Sequence, residues 1–364
     1  MTRQNASAKF SFNVLSPIMK EEQLDDRSKK ILRELISIYS QTGEAVGSRT
    51  LSKRLNLGLS PATIRNVLAD LEDGGYIMQP HTSAGRVPTD KGYRFFVNHL
   101  LKNPQLKHGQ KEMIQKHISK NSGRVEDLLL LTTELLSRLS HSVALAVAPN
   151  LDKMVLENVD FVGISPTRIL AILVTKGGVV SNKMIELEEP IGKDELIRIA
   201  NYIRTEFCGQ TLPGIRRKIL ETMRREQTQY DLLLKRAILL SQKSLEVNVP
   251  DQLYVIGASQ IVNYPEFAGL GRTKEILLAL EEKSKIVHIL TECIEGEGIH
   301  ILIGSENRDP ELKGLTLISS AYKYENEPIG TLGILGPTRL EYGRIIPLVD
   351  HIAKVVSEIL SNTK

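Results

Sequence analysis

The segment 42–97 constrains the fold of this chain most, because two short helical patterns, a turn and a glycine-containing hairpin follow one another there. A helix, a turn, a second helix and a β-hairpin wing together form a layout that reads duplex DNA. Between Glu44 and Asp70 the segment has no acidic residue and four basic ones, which are Arg49, Lys53, Arg54 and Arg65. The pattern therefore predicts a surface that attracts a polyanion.

Start and stop signals divide this segment into helices. Asp25 or Asp26 can cap a first helix, which Gly43 ends. A second helix is predicted over residues 48–55, followed by a turn at Leu57-Gly58-Leu59. Ser60 before Pro61 is a start signal for a third helix over residues 61–73, ended by Gly74-Gly75.

The third helix is predicted to be the reading helix. Its apolar residues fall on one stripe, which contains Ile64, Val67, Leu68 and Leu71. Small side chains on the other side let a helix enter a groove, and Asn and Arg can form the paired hydrogen bonds that distinguish adenine and guanine. The predicted base-reading residues are Ala62, Thr63, Arg65, Asn66 and Ala69. An ordinary solvated helix face is the alternative, and the capped turn and two preceding helices argue against it.

A hairpin after this helix is interpreted as the wing. Residues 76–79 and 86–89 can pair as strands, with Gly85 allowing a tight backbone and Arg86 projecting near the tip. A wing of this kind lies over phosphates or the minor groove, where arginine is favoured. The predicted wing contacts are His81, Thr82, Ser83 and Arg86. The predicted backbone contacts on the helices are Ser48, Arg49, Lys53, Arg54 and Ser60.

Composition limits the remaining functions. The net charge of +4 comes from the first 100 residues, which have 14 Lys and Arg against 10 Asp and Glu, whereas the other 264 have 33 of each. Cys208 and Cys293 are isolated, which suits a reducing cytosol and indicates neither a disulfide framework nor a metal site. Apolar runs long enough for a bilayer, a signal peptide and the common catalytic motifs are all missing. We therefore expect a cytoplasmic protein without catalytic residues, cofactor or metal.

The rest of the chain predicts an α+β multidomain protein. Residues 1–22 are interpreted as a flexible arm, 23–100 as the DNA-binding domain and 101–124 as a linker. Predicted helices cover residues 125–141, 193–206, 215–245 and 343–360. Predicted strands cover residues 155–163, 168–175, 179–187, 254–256, 286–289, 299–303, 315–322 and 328–335. The glycine pairs 269/271 and 296/298 are interpreted as turns, and the apolar stripes 128–139 and 345–359 as core in preference to dimer contacts.

Three stretches resemble the HrcA heat-inducible transcription repressors of bacteria. They read TGEAVGSRTL, LSPATIRNVLADLEDGGY and PHTSAGRVPTDKGYRFFV, and the resemblance continues through VLENVDFVGIS and IGTLGILGPTRLEYGRIIPLVDHIAKVV. Ala45 and Leu68 depart from the usual residues, proline and methionine. The resemblance implies a winged helix-turn-helix domain followed by a GAF-like antiparallel α/β domain over 125–364, with a helical dimerisation segment inserted at about 200–250.

The same resemblance implies a function. HrcA proteins act as homodimers on an inverted repeat, the CIRCE operator, and repress chaperone operons, and the chaperonin GroEL is thought to keep them active. We therefore expect double-stranded operator DNA, a second copy of the chain and GroEL as partners, and no membrane. The alternative hypothesis is a winged-helix repressor controlled by a small-molecule effector in the GAF-like domain.

Overall fold

The computed structural model describes most of the chain. The described residues are 12–13, 24–55, 60–81, 84–101, 104–120, 125–149, 154–176, 179–212, 214–215, 217–218, 240, 253–267, 269–293 and 298–362. The predicted arm 1–22 lies outside them except for Phe12–Asn13, a short strand β1. The predicted turn at 57–59 and most of the predicted helical stretch 215–245 also lie outside.

The N-terminal domain has the predicted order of elements. Its elements are α1 (Asp26–Thr42), α2 (Ser48–Leu55), α3 (Pro61–Asp73), β2 (Ile77–Met78) and β3 (Val87–Pro88). The strands β2 and β3 pair in antiparallel fashion and form the wing. The predicted bounds of α2 and α3 are confirmed to the residue.

Capping side chains explain why these helices begin and end where the sequence predicts. Asp25 accepts a hydrogen bond from the backbone N–H of Ser28 at 2.7 Å, which satisfies one of the free donors of α1. Gly43 ends that helix in the left-handed region, at φ 70°. The Ser60 hydroxyl accepts from the N–H of Thr63 at 3.1 Å and caps α3.

The segment predicted as a linker contains a helix. The wing leads into α4 (Asp90–Phe95), which continues as a π-helical turn over Phe96–Leu100. Next come α5 (His108–Ser119) and the predicted α6 (Val125–Ser140). Ile114 and Ile118 of α5 are buried in the main core. The predicted linker 101–124 therefore contains a helix that its sequence marks only weakly, because Ile114 and Ile118 are buried one turn apart and its third apolar side chain, Met113, is exposed.

A separate three-stranded sheet follows the next strand. After β4 (Val143–Val147), the strands β5 (Leu156–Gly163), β6 (Arg168–Thr175) and β7 (Val180–Glu186) pair in antiparallel order. The helix α7 (Lys193–Phe207) packs on this sheet.

The main sheet has six strands in the order β1-β9-β10-β11-β4-β8. Its later members are β8 (Leu253–Ile256), β9 (Ile299–Ile303), β10 (Leu315–Tyr324) and β11 (Glu327–Pro337). All neighbours are antiparallel except β1, which lies parallel to β9.

The strands β4 and β8 are neighbours, so the chain leaves the main sheet after Val147 and returns to it at Leu253. The connection between these two residues is called the excursion. The insertion predicted at about 200–250 falls within this stretch and mostly outside the described residues, so it stays a prediction. The strands at 156–186 belong to the excursion and not to the main sheet. A local pattern could not reveal this, because it does not show which strands pair.

Two helices follow β8 and the short 3-10 turns Ala258–Asn263 and Pro265–Phe267. They are α8 (Leu270–Glu281) and α9 (Lys283–Glu292). The strand predicted at 286–289 was wrong, because Ile286, Leu290 and Cys293 are buried at helical spacing. Gly269 precedes α8 and Gly271 lies within it, so this glycine pair is not a turn.

The two faces of the main sheet build two parts of the core. In β4, Ala144 and Ala146 belong to the cluster shared with α6 and the last helix, α10 (Tyr342–Asn362). Leu145 belongs to the cluster beneath α8 and α9, with its neighbours Val143 and Val147. The predicted stripes 128–139 and 345–359 are largely buried within this chain, which confirms the core interpretation.

Candidate nucleic-acid interface

The exposed face of α3 presents the predicted reading residues. Ala62, Arg65, Asn66 and Ala69 are exposed, and Thr63 is half-buried. The Thr63 hydroxyl lies 3.0 Å from the Ser60 hydroxyl, so both side chains take part in the cap of α3. The apolar stripe is buried on the opposite side, as predicted, with Ile64, Val67, Leu68 and Leu71 at most 7% exposed.

Beside this face lies a cleft of about 500 Å³ between the start of α2, the helix α3 and the base of the wing. Arg49, Arg65 and Arg86 line it together with Ser48. Guanidinium groups form paired hydrogen bonds with phosphate oxygens. The cleft can therefore accept the backbone of a nucleic acid next to the helix that faces its bases.

Most of the predicted cationic contacts carry uncompensated charge. Within the part of the chain that the structure describes, Arg49, Lys53 and Arg65 form no ion pair with an acidic side chain. Arg54 lies 3.8 Å from Glu34, and its side chain is 57% exposed. A loose, exposed pair of this kind contributes little and is readily exchanged for a phosphate.

Arg86 does not project from the wing tip as predicted. It exchanges backbone hydrogen bonds of 2.9 Å with Val46 in both directions, which places it at the base of the wing. Its Nη2 lies 2.8 Å from Glu72 Oε2 at the end of α3. Arg86 thus ties the wing to α3, although it still lines the cleft. The sequence could not show this, because Glu72 and Val46 are distant along the chain.

Two further contacts shape the wing. Glu72 also accepts the backbone N–H of Gln79 at 3.1 Å, and the Gln79 amide donates to the carbonyl of Ala84 at 3.0 Å. A Cβ at Gly85 would lie 2.5 Å from the carbonyl carbon of Val46, so only glycine fits there. His81 is exposed, and Thr82 and Ser83 lie outside the described residues.

The family models match the chain along most of its length. The model described as "Winged helix-turn-helix transcription repressor, HrcA DNA-binding" matches residues 23–102, and "HrcA protein C terminal domain" matches 126–346. The heat-inducible transcription repressor HrcA of Geobacter sulfurreducens is 41% identical over 337 residues, which cover 93% of this chain and 98% of that protein. The repressor of the same name from Syntrophobacter fumaroxidans is 35% identical, with coverage of 93% and 97%.

The chain belongs to the HrcA family. It is a winged-helix, DNA-binding transcription repressor of the heat-inducible class and not an enzyme. A crystal structure described only as that of a hypothetical protein has the same fold, with a TM-score of 0.64 and 24% identity over 94% of this chain. Among the helices that the structure describes, none is long and apolar enough to cross a membrane.

In this HrcA-family chain, side-chain contacts that the sequence did not predict hold the DNA-binding domain against the domain that contains the six-stranded main sheet. We call the latter the sheet domain. Arg94 of α4 donates from Nε to Glu306 Oε1 at 2.8 Å, and its Nη2 donates to Glu306 Oε2 and to the carbonyl of Ile301. Asp90 accepts the N–H of Ser305 at 2.8 Å. We call these contacts the α4 clasp. More than 200 residues separate its partners, so no local signal announces it.

A second contact joins α1 to the sheet domain. Arg339 pairs with Glu266 and lies over the ring of Tyr264. Its Nη1 also donates to the carbonyl of Ser40 in α1, at 3.4 Å. Between the two contacts the Tyr93 ring packs on Tyr342, and burial raises the pKa of Tyr93 well above its usual range. In this HrcA-family fold the sheet domain therefore holds α1 and α4 in place.

Proposed function

We propose that this protein is a dimeric repressor that binds a CIRCE-type inverted repeat in front of chaperone operons. The observation that carries the proposal is the exposed face of α3. There Arg65 and Asn66 have no acidic partner among the described residues, and they lie beside a cleft lined by three arginines. Base edges are recognised by such side chains, and phosphates by the cations around them. The family membership supports the same reading.

The residues divide into two roles. Arg65 and Asn66 read bases, with Thr63 beside them and Ala62 and Ala69 allowing close approach to the groove. The other side chains hold the DNA backbone and so position the protein without specifying sequence. This second group contains Ser48, Arg49, Lys53, Arg54 and Ser60 on the helices and His81, Thr82, Ser83 and Arg86 on the wing.

The dimer and its regulation rest on the family resemblance. Two copies of α3 related by a twofold axis would meet half-sites about one or two helical turns apart. We propose that the segment at about 200–250 is the dimerisation segment and that it is inserted in a GAF-like domain over residues 125–364. Chaperonin GroEL would keep the repressor active by binding and stabilising it, and misfolded protein would withdraw GroEL during heat shock.

A fluorescence-anisotropy titration tests base reading. The full-length chain and its Asn66→Ala and Arg65→Ala variants are titrated at one salt concentration against an inverted-repeat duplex and a scrambled duplex. Each variant should lose about tenfold or more of its preference for the inverted repeat, because a paired base contact is worth about 1–3 kcal/mol.

Lys53→Ala is the matched control. It should weaken both duplexes equally and reduce the slope of log affinity against log salt by about one phosphate contact. Unchanged discrimination in both Asn66→Ala and Arg65→Ala would refute the assignment of α3 as the reading helix.

A footprint tests the regulation. The chain is incubated with chaperone promoter DNA, with and without purified chaperonin, before and after a heat step. We expect a symmetric protected inverted repeat that persists through heating only when chaperonin is present. A protected region without twofold symmetry would contradict the dimer, and protection independent of chaperonin would contradict its role.

A further inference from the structure

The start of α4 is bonded to the end of α3. Thr89, which caps α4, donates from its N–H to the carbonyl of Tyr76 at 3.1 Å and from its hydroxyl to the carbonyl of Gly75 at 2.6 Å. The Lys91 ammonium donates to the carbonyl of Gly74 at 2.7 Å and lies 4.5 Å from the centre of the Tyr76 ring. The acceptors directly follow α3 in the chain, so these bonds join α4 to the helix that presents Arg65 and Asn66.

Close packing makes this junction rigid. The carbonyl of Tyr76 leaves no room for a Cβ at Gly92, so the backbone of α4 lies directly against the backbone that leaves α3. The Tyr76 ring is 2% exposed and packs edge-on against Phe95, with the ring centres 5.3 Å apart. Close-packed interiors transmit strain because they compress little. A displacement of α4 is therefore passed on to α3.

A different face of α4 carries the α4 clasp. Asp90 and Arg94 lie four residues apart and so share a face of the helix. Asp90 accepts the Ser305 N–H at 2.8 Å, and its carboxylate fills the space that a Cβ at Gly304 would need. Arg94 donates from two nitrogens to Glu306, and such paired, charge-assisted bonds fix direction as well as distance. The clasp therefore holds α4 in one orientation.

The segment 304–306 is itself fixed to the main sheet. The Asn307 side chain is buried, and its Nδ2 donates to the carbonyls of Gly304 at 3.1 Å and of Leu315, the first residue of β10, at 2.7 Å. The Ile303 N–H at the end of β9 donates to Glu306 Oε2 at 2.8 Å. The clasp therefore connects α4 to two strands of the sheet through a segment that both strands hold.

A continuous series of contacts thus runs from the main sheet through α4 to α3. In a dimer this matters because two linked binding modules gain affinity only where their geometry lets both engage at once. Each base pair added between two half-sites moves one of them by about 3.4 Å and turns it by roughly 35°. Helices held rigidly in place match one spacing and bind it tightly, because little freedom remains to be lost on binding.

We propose that the α4 clasp sets the half-site spacing that this repressor accepts. Asp90, Arg94 and Glu306 are positioning residues, which act on α3 through α4 and not by contact with DNA. The contact of Arg339 with α1 constrains the domain less, because it consists of one hydrogen bond of 3.4 Å. The proposal rests on the proposed function, since it requires a dimer that reads an inverted repeat.

Anisotropy titrations of the full-length chain test the spacing. The duplexes are a single half-site, the inverted repeat, and inverted repeats with a spacer longer or shorter by two base pairs. The unmodified chain should bind the altered repeats about tenfold more weakly or worse, because one half-site is turned by roughly 70°. Arg94→Ala should bind the single half-site within about twofold of the unmodified chain, since α3 is intact. It should distinguish the three spacings by about threefold or less.

Arg344→Ala is the matched control. Arg344 donates to Glu341 Oε2 at 2.8 Å and to the carbonyl of Leu139 at 2.7 Å, so it makes the same kinds of contact as Arg94 but within the sheet domain. Its removal should leave the spacing preference unchanged. If Arg94→Ala keeps that preference as well, the positioning role is overturned and the proposed function stands. If the unmodified chain shows no spacing preference, the proposed reading of an inverted repeat by a dimer fails, and the positioning role fails with it.

A distance measurement tests the same role without DNA. Spin labels are placed at exposed positions of α3 and α8 by Asp70→Cys and Glu281→Cys, with Cys208→Ser to keep the labelling specific. Pulsed electron spin resonance, in dimers diluted with unlabelled chain, measures the separation of the two domains. We expect a narrow distribution of distances that broadens in Arg94→Ala. Equal widths would overturn the proposal.

A second variant covers the case in which Arg94→Ala does not fold, which circular dichroism checks. Arg94→Lys keeps the positive charge but cannot form the paired bonds to Glu306 together with the bond to the carbonyl of Ile301. It should flatten the spacing preference and broaden the distances to a smaller extent than Arg94→Ala. A folded Arg94→Lys variant with the spacing preference and the distance width of the unmodified chain would refute the positioning role.

Discussion

The DNA-binding domain and the sheet domain differ in the burial of their notable polar side chains, which are exposed in the first and buried in the second. In the first, residues that bear on function, such as Arg65 and Asn66, are exposed and form no ion pairs within the described chain. In the second, the polar side chains that stand out, such as His300 and Asn307, are buried. A change on α3 should therefore alter binding without altering stability. Changes to buried residues of the sheet domain should alter stability without altering binding.

The largest effect is expected at the centre of the main sheet. Ile334 of β11 is fully buried and is flanked by Ile318 of β10 and Ala144 of β4. Ile334→Ala should lower the free energy of unfolding by about 2–5 kcal/mol, because it removes buried methyl groups and leaves a cavity. Urea unfolding measures this. Val180→Ala, at an exposed position of β7, is the control and should change it by about 0.5 kcal/mol or less.

The α4 clasp should show the next largest effect, and it crosses the boundary between the two domains. The side chains of Arg94 and Glu306 are each 16% exposed, so removing one leaves a poorly solvated charge behind. Arg94→Ala should cost about 2 kcal/mol of stability. The double variant with Glu306→Ala should cost less than the sum of the two single changes. Additive losses in thermal melts would mean that the pair is not coupled.

The cap of α3 should have a smaller effect on stability and a direct one on DNA binding. Ser60→Ala removes the acceptor for the Thr63 N–H and should cost about 1 kcal/mol. Amide hydrogen exchange in the first turn of α3 should become faster. Ser60→Asp restores a capping oxygen and should restore protection, so equal exchange in both variants would contradict the role of the cap.

The smallest effect is a dependence on pH. Burial lowers the pKa of His351 below its usual 6.5, against the opposing effect of the Lys111 carbonyl and of Asp350 and Glu358. The unfolded chain then takes up the proton first, so stability is full above pH 6.5 and falls as the pH drops through it. His351→Gln should reduce the loss of melting temperature between about pH 7 and pH 5. If the His351→Gln variant loses as much melting temperature as the unmodified chain, other titrating groups cause the loss.

Local signals predicted the DNA-binding domain closely and the sheet domain less well. The capped helix α3 follows from Ser60, Pro61 and its apolar stripe, which act within one or two turns. By contrast, β4 is a short apolar run directly after a helix, and neither its existence nor its place beside β8 follows from its pattern. The prediction of a strand at 286–289 was wrong for a related reason. β-Branched residues also occur on the buried face of a helix that packs on a sheet, so their presence alone does not indicate a strand.

The sequence by itself determined the family, the three helices of the reading domain and the composition of the α3 face, because neighbouring residues control all of these. Only the tertiary structure decided that Arg86 binds Glu72 at the base of the wing, that Arg94 of α4 is held by Glu306, and that β4 pairs with β8. These outcomes depend on which distant segments come into contact. That choice follows from packing the whole core, and no local pattern encodes it.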